Sequence, residues 1–272
     1  PLGPNVNAFE TELENFIEKK ALVVGGSGGI GAAASKILVE LGASLFVHGG
    51  HDSPKFQSLI KELEDLAKSK KNNISVSSII QKITEENIFQ IDSTVLGKCL
   101  TETDILFVCF GPFVQKKLQD TTTTDWIKMA LLDYALPGIC VSKVIPNMLK
   151  HNWGRIILMG GTRTYSINGF LTNPAYAGAK TGISSLVKSV AMAYGNYGIT
   201  CNAICPGFVA TEYQSSEEKA ALEKKMPSGK LISPDKIASV MGMLIDSPEI
   251  NGAVLPVDSG WQGAINIASV LQ

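Results

Sequence analysis

Two groups of residues in this sequence have the types and spacing to do chemistry. Tyr176-Ala177-Gly178-Ala179-Lys180 sets a phenol and an ammonium four residues apart. On a helix such residues share a face, so both can point into one crevice. A phenol ordinarily titrates at about 10, and a nearby cation favours its phenolate, which suits proton transfer at neutral pH. The second group is Gly25-Gly26-Ser27-Gly28-Gly29-Ile30-Gly31. Glycine there lets the backbone turn sharply and come close to a diphosphate, while free amides at the start of a following helix attract the negative charge. Two spacings fit the run, GxGxxG through Gly26, Gly28 and Gly31, and GxxxGxG through Gly25, Gly29 and Gly31. Each group also has a plain structural explanation: a glycine turn without a ligand, and two unrelated side chains on one helix.

The two groups meet only if the chain carries both to one edge of a sheet. Ala21 to Val24 reads as a short strand ending in the glycines, and Ala32 to Leu41 as the helix after it. Leu45 to Val47 is a second strand. Ser53 and Pro54 then open a helix to about Lys68, with Ser as N-cap and Pro at the first helical position. Further strands are expected at Ile74 to Ile80, Ile105 to Phe110, Arg155 to Met159, Thr200 to Cys205 and Ala253 to Val257. A long helix from Asp125 to Lys150 should kink or break at Pro137 and Pro146. Pro174 to Tyr194 is the helix that bears the tyrosine and lysine. Seven strands alternating with helices predict a Rossmann-like, doubly wound parallel α/β sheet covered on both faces, with its ligand crevice beyond the carboxyl ends of the strands. Without a polar linker or repeat, residues 20–272 read as one catalytic domain behind an N-terminal extension and amphipathic helix, 1–19.

Composition narrows the classes. With 24 Lys and Arg against 25 Asp and Glu the net charge is -1, so no basic footprint for nucleic acid is expected. Hydrophobic residues at 45% against 18% charged exclude a disordered chain. No uninterrupted apolar run approaches the roughly 20 residues of a membrane span, and a soluble, cytoplasmic protein is expected. Cys99, Cys109, Cys140, Cys201 and Cys205 form no CxxC pair, which predicts buried free thiols and no metal site.

Taken with Asn202-Ala203-Ile204-Cys205-Pro206-Gly207-Phe208-Val209-Ala210-Thr211, the glycine turn and the YxxxK pair resemble, in order and spacing, the short-chain dehydrogenase/reductase superfamily, classical type. The resemblance runs from Ala21 to about Gly263. It implies an NAD(P)-dependent oxidoreductase that moves hydride between a nicotinamide and a carbonyl or alcohol substrate. Tyr176 would be the acid or base, with Lys180 holding the nicotinamide ribose and lowering the phenol's pKa. It places the cofactor on Gly25, Ser27, Gly28, Gly29, Ile30, Gly31, Gly111, Pro206, Gly207, Val209 and Thr211. It further implies a homo-oligomer, a tetramer or dimer. After the second strand, His48-Gly49-Gly50-His51-Asp52 offers His51 or Lys55 for a 2′-phosphate and Asp52 for a free hydroxyl. With Gly49 where an NAD-selecting acid would stand, the balance leans to NADP over NAD.

The sequence departs from the family at three polar positions. Val108-Cys109-Phe110-Gly111 replaces an Asn-Asn-Ala-Gly segment, keeping only the glycine. The Asn of the following long helix aligns by spacing with about Tyr134, and 128–140 contains no Asn. The family's serine pair after the fifth strand is replaced by Gly160-Gly161-Thr162-Arg163-Thr164. Thr162 is the expected substitute as hydrogen-bond donor to a substrate carbonyl, with Thr164 and Ser166 in reserve. Arg163 beside it would meet an anionic substrate or solvent. Phe208 to Lys230, rich in Glu and Lys, reads as a solvated mobile lid. A non-catalytic nucleotide-binding protein on the same fold is the alternative, against which the retained Tyr176 and Lys180 speak.

Overall fold

In the computed structural model, which describes residues 16–70 and 73–261, the apolar runs pair edge to edge into a seven-stranded sheet of order β3-β2-β1-β4-β5-β6-β7. The strands are β1 Lys20–Val24, β2 Ser44–Gly49, β3 Val76–Ile80, β4 Ile105–Val108, β5 Gly154–Met159, β6 Ile199–Pro206 and β7 Val254–Val257. Every neighbouring pair is parallel, so each return crosses a face of the sheet. The longer helices are α1 Gly29–Glu40, α2 Pro54–Ser69, α3 Val95–Leu100, α4 Thr123–Ala130, α5 Leu136–His151, α6 Pro174–Tyr194, α7 Ser216–Glu223 and α8 Pro234–Asp246.

Strand alternation explains the two cores. Ala21 and Val23 of β1 join α1, α2 and α8 through Leu38, Leu63 and Met241, while Leu22 and Val24 face α5 and α6 through Val144 and Val187. Both faces are therefore closed, which is why the strands read as continuous apolar runs. The Ser53 hydroxyl accepts from Phe56 N–H at 3.2 Å with Pro54 following, as the capping pattern predicts.

Three expectations are corrected. Helix α1 begins at Gly29, inside the glycine run, not at Ala32. The break expected in the long helix is a π-type turn, Leu131–Ala135, joining α4 to α5 just before Pro137, and Pro146 lies within an unbroken α5. A π turn moves the carbonyl that the proline ring would strike and whose hydrogen bond proline cannot complete. The resulting rod, 123–151, has the length and hydropathy of a membrane span, although no uninterrupted apolar run suggested one. Its residues Met129, Leu136, Val144 and Met148 are nevertheless buried in the protein core. Patterning also named no element between 230 and 253, where α8 packs on α1. Of the expected N-terminal helix, Ala8 to Lys19, only 16–19 are described; Phe16 is buried edge-on to Trp153 with ring centroids 6.3 Å apart.

Candidate active site

The carboxyl ends of β1, β4, β5 and β6 lie side by side, and the loops leaving them build one cleft. At the end of β1, Gly25 (φ +85°) and Gly29 (φ +51°) adopt left-handed backbone that favours glycine. Gly25, Ser27, Gly28, Gly29, Ile30 and Gly31 line a cleft of about 350 Å³ together with His48, Gly111, Thr211 and Tyr213. Two other open grooves flank β3, lined by Phe56 and Ile60 or by Gln81 and Gln90, away from the tyrosine.

His48 sets the turn. Its ring is fully buried; Nδ1 accepts from Gly25 N–H at 3.2 Å, and Nε2 lies 2.8 Å from the Gln81 carbonyl. Those partners assign the neutral Nε2–H tautomer, and burial, against the Gln81 hydrogen bond, holds its pKa below the ordinary histidine value. The sequence pattern places it after the second strand; the structure puts it inside β2. A Cβ at Gly49 would come 2.9 Å from the Phe56 ring, so no carboxylate side chain fits there without displacing that core residue.

Tyr176 and Lys180 stand on the first turns of α6, as their spacing requires. Lys180 is buried; its Nζ lies 5.9 Å from the Tyr176 ring centre and donates to the Met159 carbonyl at 3.2 Å. It also lies 3.2 Å from Asp133 Oδ1, on the π-type turn. Asp133 has no exposed surface and neither of its oxygens completes a hydrogen bond, so this contact is a close charge pair at poor angle. Burial, opposed by Lys180, pushes the Asp133 carboxyl up to about 6. Burial first and the Asp133 charge second push the Tyr176 phenol up, so here Lys180 does not set the direction of its shift. Tyr134, the position to which spacing along the helix points, is exposed and lies over Gly182. The π-type turn brings Asp133 inward, a shift that linear spacing does not carry.

The hydroxyls beyond β5 are arranged differently from the expectation. Thr162 Oγ1 donates to the Pro206 carbonyl at 2.9 Å, so its proton is committed to the β6 backbone. Thr164 is buried; its hydroxyl accepts from Gly161 N–H at 2.8 Å and lies 2.9 Å from the Gly161 carbonyl. Ser166 is exposed and accepts from Asn168. The position that faces the tyrosine is Gly161, where a Cβ would sit 3.3 Å from Tyr176 Oη. Arg163, at φ +64°, lies over the Phe170 ring at 5.7 Å. Phe113, which sequence reasoning did not single out, covers Tyr176 edge-on with centroids 4.9 Å apart.

The remaining carried-over positions fall on the same edge at different depths. Gly111 lies over the Asp133 and Lys180 pair, where a Cβ would come 3.3 Å from Lys180 Nζ. Thr211 reaches the glycine turn, 3.4 Å from a Cβ built on Gly29. Pro206, Gly207 and Val209 continue β6 without lining the glycine cleft: Gly207 N–H donates to Val257, and Val209 is buried in a bridge to Ile232. His51 is exposed on the loop outside the cleft. The cleft accepts an anion at the helix start, because the Glu212 carboxylate takes both of its oxygens to Gly29 N–H, at 3.0 and 3.2 Å. Left-handed glycines, exposed helix-start amides and a seated carboxylate together fit a dinucleotide's diphosphate.

Comparison with known proteins agrees with this geometry. The short chain dehydrogenase family model matches residues 19–221, and the chain belongs to that family. It is 31% identical over 258 residues to a 3-oxoacyl-(acyl-carrier-protein) reductase of Vibrio harveyi, covering 90% of this chain and 98% of that one. A D-beta-hydroxybutyrate dehydrogenase of Rhizobium meliloti is 26% identical over 263 residues, 89% of this chain and 98% of that one. Among solved structures, a 3-oxoacyl reductase from Agrobacterium tumefaciens with NADP bound superposes with a TM-score of 0.80 at 18% identity, covering 96% of this chain and all of that one. The chain is thus an NAD(P)-dependent oxidoreductase acting on a small-molecule substrate.

Proposed function

We propose that this enzyme reduces a carbonyl carbon, or oxidises the matching secondary alcohol, with Tyr176 as the proton donor or acceptor and Lys180 as its buried neighbour. The observation that carries the reading is the placement of Tyr176 and Lys180 one helical turn apart at the strand ends, beneath Phe113 and Gly111 and next to the glycine cleft. When bound, the nicotinamide supplies or takes the hydride. The glycine turn and the α1 amides would hold its diphosphate, Thr211 would stand beside them, and Lys180 would meet its ribose. Tyr176 Oη holds the mobile proton. Phe113 packs edge-on against its ring and Gly161 stands beside its hydroxyl; burial raises the phenol further above its ordinary value of about 10, so it is protonated at neutral pH, the form a carbonyl reduction uses. With the Thr162 proton on Pro206, the oxygen of the substrate would be held by Tyr176 with little help from β5.

NADP is the proposed cofactor of choice, because no acid occupies Gly49 and Lys55 stands at the start of α2 near the same strand end. The relatives' names point to a 3-oxoacyl group on a carrier protein and to beta-hydroxybutyrate, a 3-hydroxy acid, and short 3-oxo acyl compounds or 3-oxo acids are the first candidates here. The reading extends to one catalytic domain over 20–272, a homo-oligomer and a reducing cytoplasmic compartment, the last supported by five cysteines that are all free thiols. Steady-state assays with NADPH and NADH over a carbonyl panel test it. Tyr176→Phe should lose at least a hundredfold in turnover while binding NADPH as before; turnover equal to that of the unaltered enzyme would overturn the role of Tyr176.

A further inference from the structure

The segment leaving β6 does more than border the substrate side. Its base is fixed: Ala210 N–H donates to the Ile232 carbonyl at 2.8 Å, and Ile232 N–H to the Phe208 carbonyl at 3.0 Å. Two residues past that clamp, Glu212 crosses to the opposite wall and places its carboxylate on the N-terminus of α1, accepting from Gly29 N–H with both oxygens. Lys55, on the first turn of α2, forms an ion pair with the same carboxylate and lies 5.6 Å over the Tyr213 ring. A Cβ built on Gly28 would run into Glu212 Oε1, so the carboxylate rests directly on the glycine turn. Burial pushes the Glu212 carboxyl up, but hydrogen bonds from Lys55 and then from Gly29 outweigh it, and the net shift is downward. It is a fixed anion at neutral pH.

A carboxylate bridging a helix-start amide and a lysine offers those donors what a phosphate group would offer. We propose that Glu212 is an internal occupant of the cofactor's anion site, so that a dinucleotide binds by exchanging with it for Gly29 N–H and Lys55. The proposal rests on reading the glycine cleft as the dinucleotide site. Exchange leaves Gly29 N–H facing the diphosphate and frees Lys55 for a second anionic group on the cofactor. It also carries Tyr213 away from the cleft wall, linking cofactor entry to a rearrangement of the substrate-side segment. The side chain of Glu212 is about one-third exposed and that of Lys55 more than half, so the contact is weak enough to open. An occupant present nine-tenths of the time lowers apparent cofactor affinity about tenfold.

Binding of NADPH to the intact protein, followed by titration calorimetry, tests this on Glu212→Gln, Glu212→Ala and Gly29→Val. Both Glu212 variants should bind about tenfold tighter than the unaltered protein, and inorganic pyrophosphate should gain in the same sense. Gly29→Val should lose binding. Equal affinity in the Glu212 variants, with Gly29→Val impaired, would overturn the exchange and leave the cofactor site in place. Weaker binding in them would make Glu212 a ligand of the cofactor and likewise overturn the exchange. NADPH binding untouched by Gly29→Val, or absent from every folded protein, would remove the dinucleotide reading of this cleft and the exchange with it.

Discussion

The Asp133 carboxylate has no exposed surface and lies 3.2 Å from the Lys180 ammonium, yet its pKa is pushed up to about 6, burial being the larger influence. An acid whose folded pKa exceeds its unfolded value of about 4 holds its proton more tightly when folded. Stability therefore falls as pH rises from about 4 to about 6 and levels off above that, by about 3 kcal/mol at most. Asp133→Asn should remove this slope. Urea midpoints of both proteins across that pH range check it, and equal slopes would assign the titration to another group. Thr162 and Gly161 make a second contrast at this scale. Thr162→Val deletes a donor to the Pro206 carbonyl, so it should cost about 1 kcal/mol of stability and less than tenfold in turnover. Gly161→Ser instead places a hydroxyl next to Tyr176 Oη. A donor aimed at a developing oxyanion is worth roughly a hundredfold, and kcat for carbonyl reduction should rise at least tenfold after the tight Cβ contact is absorbed. A large loss in Thr162→Val with no gain in Gly161→Ser would restore Thr162 as the donor.

At the scale of elements, the strands and the order of motifs were legible because both signals are local. Ile105–Val108 and Ile156–Leu158 are apolar since both faces of the sheet are covered, and the glycine turn and YxxxK are read directly along the chain. What escaped was set by contacts far apart in sequence or by one-residue changes of phase. The π-type turn at Leu131–Ala135 rotates Asp133 inward and Tyr134 outward, which spacing counted on a regular helix misses by one. The Thr162 hydroxyl finds Pro206 across 44 residues, and Glu212 finds Gly29 across 183. Nothing in a window of sequence marks either pair. His48 belongs to the same class: placed after the second strand by pattern, it lies inside β2 and holds the glycine turn through Gly25 and the following loop through Gln81. His48→Ala leaves the part-buried Gly25 N–H and Gln81 carbonyl without partners and opens a void where the buried ring stood. It should cost about 2 to 4 kcal/mol and weaken NADPH binding. Denaturant titration and calorimetry report the two effects, and an unchanged midpoint would show that the turn stands without the imidazole.

For the whole molecule the question is what covers the outward faces of the long helices. The rod 123–151 is 29 residues long and apolar enough to cross a membrane, but half of its apolar window is buried. Leu136, Val144 and Met148 pack in the core shared with β4 and β5, so lipid could surround the rod only if that core were dismantled. Its other face is open: Trp126 is 43%, Ile127 51% and Tyr134 44% exposed, an apolar stripe that the π-type turn interrupts. Tyr134 lies against Gly182 of α6, which makes the stripe continuous with that helix. An open apolar face shared by two neighbouring helices fits a second copy of the same face under a two-fold axis, and an interface of standard size buries roughly 800 Å² on each partner. Light scattering at micromolar concentration should therefore give a dimer or tetramer mass, and Ile127→Glu with Tyr134→Glu should reduce it to the monomer while costing the isolated fold no more than about 1 kcal/mol of stability. A monomer mass for the unaltered protein, with co-flotation on liposomes, would assign the stripe to a lipid surface.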